Sequence, residues 1–150
     1  MAVVSDLPDH TGYLLRMVSN AVSQEFARKV ASEGVTVAEW VLLRSLYGGE
    51  AVAPSVLAGR MGMTRGAISK LADRLVAKGL IERTGNPDDK RAHRLSLSAV
   101  GKKKVPALAR LADENDAAFL AALTGKEQEG LRALLRTLIA KHKLSAMPVD

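Results

Sequence analysis

Thr64, Arg65, Ser69, Lys70 and Arg74 lie within eleven residues of one another, and Lys90 and Arg91 follow on a turn. All seven donate hydrogen bonds, and five of them are cationic at neutral pH. Hydroxyl and ammonium groups hold phosphate oxygens, and a guanidinium can bond the edge of a guanine through two N–H groups. The chemistry within reach is therefore recognition of a polyanion. Bond-making chemistry has no comparable signature: no nucleophile–base pair, carboxylate dyad, glycine-rich phosphate loop or metal motif stands out. Asp88 and Asp89 are adjacent on a turn, with no sign that they converge on a substrate. His10, His93 and His142 form no ligand pair at helical spacing. With no cysteine, disulfides, thiolate zinc sites, iron–sulfur clusters and thiol switches are all excluded. The chain reads as a non-enzyme with no cofactor.

The charge is concentrated where those donors are. The formal net charge is +6, yet residues 1–54 carry −2, residues 55–104 carry +8 and residues 105–150 carry 0. A basic module between non-basic flanks is the electrostatic footprint of a nucleic-acid binder, although a merely solvated basic face would give the same sum. With 47% hydrophobic and 25% charged residues over 150 positions, one folded domain is expected, or a small intertwined oligomer. An acid at Asp6 precedes any signal-peptide apolar region. The longest apolar run, Ala117 to Leu123, is too short to span a bilayer. A cytoplasmic protein without a membrane partner is expected.

Helical periodicity positions the donors. Leu14, Val18, Ala21, Val22, Phe26 and Val30 form one apolar stripe over residues 11–32, which Gly34 ends. Thr36 and Glu39 form a capping box for a helix over about 37–47 that presents Trp40, Leu43 and Tyr47. Residues 50–53 suit a small strand. Pro54 opens a helix that ends at Gly62, and Thr64 caps the next. In that helix Ile68, Leu71, Ala72 and Leu75 take the core side, which leaves Arg65, Ser69, Lys70 and Arg74 facing away. Gly79 stops it. Residues 80–84 and 93–97 read as two strands of a hairpin around the turn residues 85–89. Ser98 caps a long helix with Leu108, Leu111, Ala112, Asn115, Ala118 and Phe119 on its buried stripe; Pro106 should kink or split it. Thr124 and Glu127 cap a last helix that buries Leu131, Leu134, Leu135, Leu138 and Ile139, and residues 145–150 read as a frayed tail.

Two short helices joined near Gly62 make a helix-turn-helix, whose second helix enters a DNA major groove, and the hairpin is its wing. The fold class is thus mainly α with a small β-hairpin wing. Lys90 and Arg91 at the wing tip suit a narrow minor groove. Any one of these cations alone would be read as solvated. Turn, basic helix and basic hairpin in succession favour duplex DNA. Aromatics are only 3% of the chain, which argues against stacking on single-stranded RNA. A winged helix used for protein contact, without sequence-specific DNA binding, is the competing reading.

Leu57–Arg83 (LAGRMGMTRGAISKLADRLVAKGLIER), Asp89-Lys-Arg-Ala92 and Leu95-Ser-Leu-Ser98 with Gly101 resemble the MarR family of bacterial transcriptional regulators. So do Trp40-Val-Leu-Leu43 and the long terminal helices, and the pair Asp89 and Arg91 is the most specific part of the likeness. The resemblance implies a homodimer, with residues 1–34 and 105–150 as a helical dimerisation region and residues 35–104 as the DNA-binding winged helix. It implies a pseudo-palindromic operator, repression as the commoner habit, and Arg91 in the minor groove. Asp89 is then read as bracing the wing through Arg83. It also implies a small aromatic or phenolic effector in a cleft between the two regions, for which Tyr13, Arg16, Trp40, Arg44 and Met61 are the candidates. Arg16 or Arg44 would pair with its carboxylate.

Overall fold

The computed structural model of the chain describes residues 1–85 and 93–149. After a single 3-10 turn at Leu7–Asp9 come α1 (Thr11–Ala31), α2 (Val37–Leu46), α3 (Pro54–Met61) and α4 (Arg65–Ala77). Strands β1 (Ile81–Thr84) and β2 (Arg94–Leu97) follow, then α5 (Ala99–Leu120) and α6 (Gly125–Lys141). The strands are antiparallel, with Ile81 opposite Leu97 and Arg83 opposite Leu95. The expected strand at 50–53 shrinks to one bridge, in which Val52 and Leu95 exchange two backbone hydrogen bonds of 2.9 and 2.8 Å. Pro54 limits it, since a residue with no amide hydrogen starts α3 immediately after.

The core sits in the middle of the chain. Leu42, Leu43, Leu57, Ile68, Leu71, Leu75 and Leu95 are enclosed, and Val30, Val105 and Leu108 bring the end of α1 and the start of α5 against them. All four core positions expected of α4 are buried. Other stripes are corrected. Val30 is the one buried residue of α1, and Leu14 and Val18 remain about half exposed. Ala118 and Phe119 on α5 are exposed, and α6 has no buried residue: Leu134, Leu135, Leu138 and Ile139 all face outward. The stripes exist as expected, but among the described residues nothing encloses the first half of the α1 stripe, the far end of the α5 stripe or the stripe of α6.

Two further expectations change. α5 runs unbroken through Pro106. The proline is exposed while its neighbours Val105 and Leu108 are buried, so packing holds the helix and the carbonyl deprived of a partner is on the wet side. Residues 145–149 are not frayed. The Met147 N–H bonds the Arg60 carbonyl at 3.3 Å, and Val149 packs on the core.

Two local devices fix the winged helix. Glu39 is fully enclosed, and its carboxylate accepts hydrogen bonds from the Thr36 backbone amide at 2.9 Å and from Lys78 Nζ at 2.9 and 2.8 Å. Lys78 Nζ also donates to the Gly34 carbonyl at 2.8 Å, so the start of α2 is tied to the end of α4. The second device is Gly101. A Cβ there would lie 2.0 Å from the Leu80 carbonyl oxygen, which only a glycine allows. Ser98 completes the joint by donating to the Gly79 carbonyl at 2.6 Å and accepting from the Gly101 amide at 3.0 Å.

Burial pushes the Glu39 carboxyl up, but Lys78 and the Thr36 amide and hydroxyl outweigh it, and the net result is below the ordinary carboxylate range. A depressed folded-state value stabilises the protein above the unfolded value, near 4.3, and that contribution is lost as pH falls through the folded value. Glu39→Gln is expected to cost roughly 1–3 kcal/mol at pH 7, since Lys78 is only partly buried. Urea titrations from pH 7 to pH 3 should show the gap between variant and native protein closing below about pH 4. A gap that stays constant would refute the ion-pair assignment.

Candidate nucleic-acid interface

α3, the turn at Gly62 and α4 form the helix-turn-helix. Gly62 has a left-handed backbone, φ 61°, that ends α3 and lets the chain re-enter a helix three residues later. Thr64 Oγ1 accepts the Ala67 amide at 3.1 Å, which satisfies one of the free donors of the first turn. Its hydroxyl proton remains for an outside acceptor.

Thr64, Arg65, Ser69, Lys70 and Arg74 are all exposed. They do not form a single stripe. At about 100° per residue, Arg65 and Ser69 fall on one flank of α4, and Lys70 and Arg74 lie about 140° further round. Gly66 and Asp73 occupy the arc between the flanks. That layout suits a helix seated in a groove: cations at both edges can reach both phosphate walls, and Gly66 keeps the centre low.

Asp73 is the exception to this basic half. Its carboxylate accepts from Arg83 on β1, in an ion pair that fastens the wing to α4. The pair neutralises an acid that would otherwise face phosphate. The described partner of Arg83 is thus on α4; Asp89, with Lys90 and Arg91, lies outside the described residues. Asp73 went unnoticed in the sequence because its partner is ten residues away, with neither helical nor strand spacing. Pro54, Ser69, Ala72, His93 and Leu95 join this pair around the hollow between α4 and the wing.

The five effector candidates are not brought together. Met61 is 2% exposed, a core residue. Arg44 is exposed and lies over the Tyr47 ring, 5.8 Å from its centroid. Tyr13 stands exposed on the first half of α1. Arg16 lines a groove along α1 with Ser19, Asn20 and Ser23. Trp40 meets Phe26 edge to face, centroids 6.4 Å apart, and these two with Ser23, Val37, Val41 and Pro148 line a cleft of about 210 Å³ between α1 and α2. Ser23 is common to the two hollows. Ser23 and Val41 were missed, having no signal beyond their positions on helices. Among the described residues, no group of three or more His, Asp or Glu side chains could hold a metal ion, and no helix is long and apolar enough to cross a membrane.

Comparison with known proteins agrees with this architecture. The MarR family profile matches residues 33–92. The uncharacterized HTH-type transcriptional regulator YdcH of Bacillus subtilis is 34% identical over 131 residues, covering 83% of this chain and 89% of that protein. A probable transcriptional regulator from Pseudomonas aeruginosa has a crystal structure that superposes with a TM-score of 0.76 at 34% identity, over 89% of this chain and all of that one. A mutant MarR from E. coli complexed with operator DNA superposes with a TM-score of 0.75 at 27% identity, over 90% of this chain and 99% of that one. With its two-stranded wing, its helix-turn-helix and its long flanking helices, the chain belongs to the MarR family of DNA-binding transcriptional regulators.

Proposed function

We propose that the protein binds a pseudo-palindromic duplex operator as a homodimer and represses transcription there until a small aromatic or phenolic acid releases it. The observation that carries this reading is the exposed basic half of α4, with cations on both flanks and its one acid neutralised by the wing. Arg65 and Ser69 take one groove wall, Lys70 and Arg74 the other, and Thr64 bonds a phosphate at the helix start. Lys90 and Arg91 serve the adjacent minor groove, as the family resemblance implies. Operator complexes of a relative with the same fold support duplex DNA as the partner.

Residues 1–34 and 105–150 form the dimerisation region in this reading. Leu14 and Val18 on α1 and Leu134 and Leu138 on α6 are exposed apolar side chains on helices with one buried residue or none, and Phe119 is exposed near the end of α5. A helix with no covered face has too little to hold it together in water. A second copy, related by twofold symmetry, supplies the cover and spaces the two α4 helices about 34–36 Å apart, one turn of DNA. The effector enters beside Trp40, where the aromatic pair and Ser23 offer a ring-sized, partly polar hollow.

Three outcomes test this. Duplexes selected from a random pool should contain an inverted repeat, and affinity should fall with salt at a log–log slope of roughly −0.9 per phosphate contacted. Arg65→Ala should cost roughly 1–3 kcal/mol, and Lys70→Ala should reduce the salt slope by about 1. Undiminished operator binding by the Arg65→Ala/Arg91→Ala double variant would sink the contact assignment; binding that random duplexes abolish equally well would favour the protein-contact reading.

Arg83→Ala leaves the Asp73 carboxylate bare in the groove, at a cost on the order of 1 kcal/mol of DNA affinity at low salt. Adding Asp73→Asn to it should restore most of that loss in a fluorescence-anisotropy titration. For the assembly, sedimentation of the native protein should give twice the single-chain mass, and Leu134→Asp/Leu138→Asp should give the single-chain mass. A native protein that sediments as one chain would remove the dimer from the reading.

A further inference from the structure

α6 ends at Lys141, and Lys143 adopts a left-handed backbone, φ 52°. The Leu144 amide closes back on the Ile139 carbonyl at 3.0 Å, so the chain reverses out of the helix as a left-handed cap does. Residues 145–149 then lie along the winged helix. The Ala146 Cβ sits 3.4 Å from where a Cβ on Gly62 would be, against the turn of the helix-turn-helix itself. The Met147 amide donates to Arg60, in the last turn of α3, at 3.3 Å. The Gly62 and Met63 amides bond Ala58 and Gly59, so this carbonyl takes its bond from a segment 87 positions away. Ser45 Oγ, on α2, gives its proton to the Val41 carbonyl at 2.7 Å and touches Met147 Sδ at 3.8 Å. Pro148 forms one wall of the cleft beside Trp40, and Val149 reaches the core.

α6 buries nothing, so these contacts are the segment's own and not a by-product of helix packing. They join three elements: α2, the α3–α4 turn and, across the cleft, α1. A tethered segment acts at an effective concentration in the millimolar range, so a modest set of contacts suffices to seat it.

We propose that residues 144–149 are an intramolecular latch, a tethered wall of the cleft beside Trp40 that an aromatic acid has to displace to take its full place there. The displacement clause rests on the effector reading above; the placement of the segment along the cleft does not. A seated latch lowers the apparent affinity for an incoming aromatic acid by the fraction of time the cleft is open.

The chain suits a direct test, because Trp40 is its one tryptophan and it has no cysteine. Ending the chain after Lys143 should shift Trp40 emission to longer wavelength and raise its quenching by acrylamide, with the far-ultraviolet circular dichroism unchanged. Salicylate, used as the probe, should bind the shortened chain about tenfold more tightly if the latch is seated about nine-tenths of the time. Conversely, Gly62→Cys/Ala146→Cys places two Cβ atoms near the separation of about 3.5–4.5 Å that a disulfide needs. Mild oxidation should close an intramolecular bridge and weaken salicylate binding below that of the native chain, and reductant should restore it. Unchanged Trp40 quenching on shortening, together with failure of the cysteine pair to bridge, would overturn the latch. Tight salicylate binding that shortening leaves unaltered would overturn the displacement clause. If quenching rises and the bridge forms but salicylate binds no form, the latch stands and the effector reading falls.

Discussion

The winged helix depends on a single enclosed carboxylate. Glu39 caps the amide of Thr36 at the start of α2 and receives Lys78 from the end of α4, so one residue closes a local cap and a contact across thirty-nine positions. An enclosed charge is tolerable only when it is paired and hydrogen-bonded. That requirement fixes the distance between the start of α2 and the end of α4 more tightly than apolar packing would, since leucine side chains can slide by fractions of an ångström at small cost and a bidentate ion pair cannot. The exposed half of α4 owes its orientation to this joint. Its four core residues anchor one side of the helix, and Lys78 decides where that side ends.

Electrostatics on the outer side follow a second rule, that the acids present are already committed. Asp73 is occupied by Arg83, and that pairing commits a wing cation to keeping the exposed half of α4 basic. The wing is thus more than a carrier for tip residues. Its first strand is an electrostatic component of the helix it flanks.

Much of this was legible in the sequence, for identifiable reasons. Capping boxes are local, so Thr36 with Glu39 and Thr124 with Glu127 announce helix starts without tertiary information. Gly62 and the Ile68–Leu75 spacing located the helix-turn-helix in the same way. The failures lie where distant parts of the chain meet. Periodicity identified the apolar stripe of α6 but could not say that none of it is buried among the described residues. Proline chemistry predicted a kink or a split in α5, and the helix is not split, with Val105 and Leu108 packed on either side of Pro106. The end of the described chain, rich in small and apolar residues, looked like a tail because nothing local gives it a partner. Its partners Arg60 and Ser45 are 87 and 102 positions away. Met61 shows the converse error: a residue near a cleft in sequence can point into the core.

The joint at Gly101 has a mechanical meaning. With the Leu80 carbonyl pressed where a side chain would stand, and Ser98 bridging Gly79 to the first turn of α5, the end of the recognition helix, the base of the wing and the start of α5 move as one lever. α5 spans 22 residues, about 33 Å, so a tilt of about 5° carries its far end by about 3 Å. In a twofold assembly the crossing angle of two such levers would set the reach between recognition helices. Alignment with successive turns of DNA would then be adjusted at the hinge between helices, far from any base.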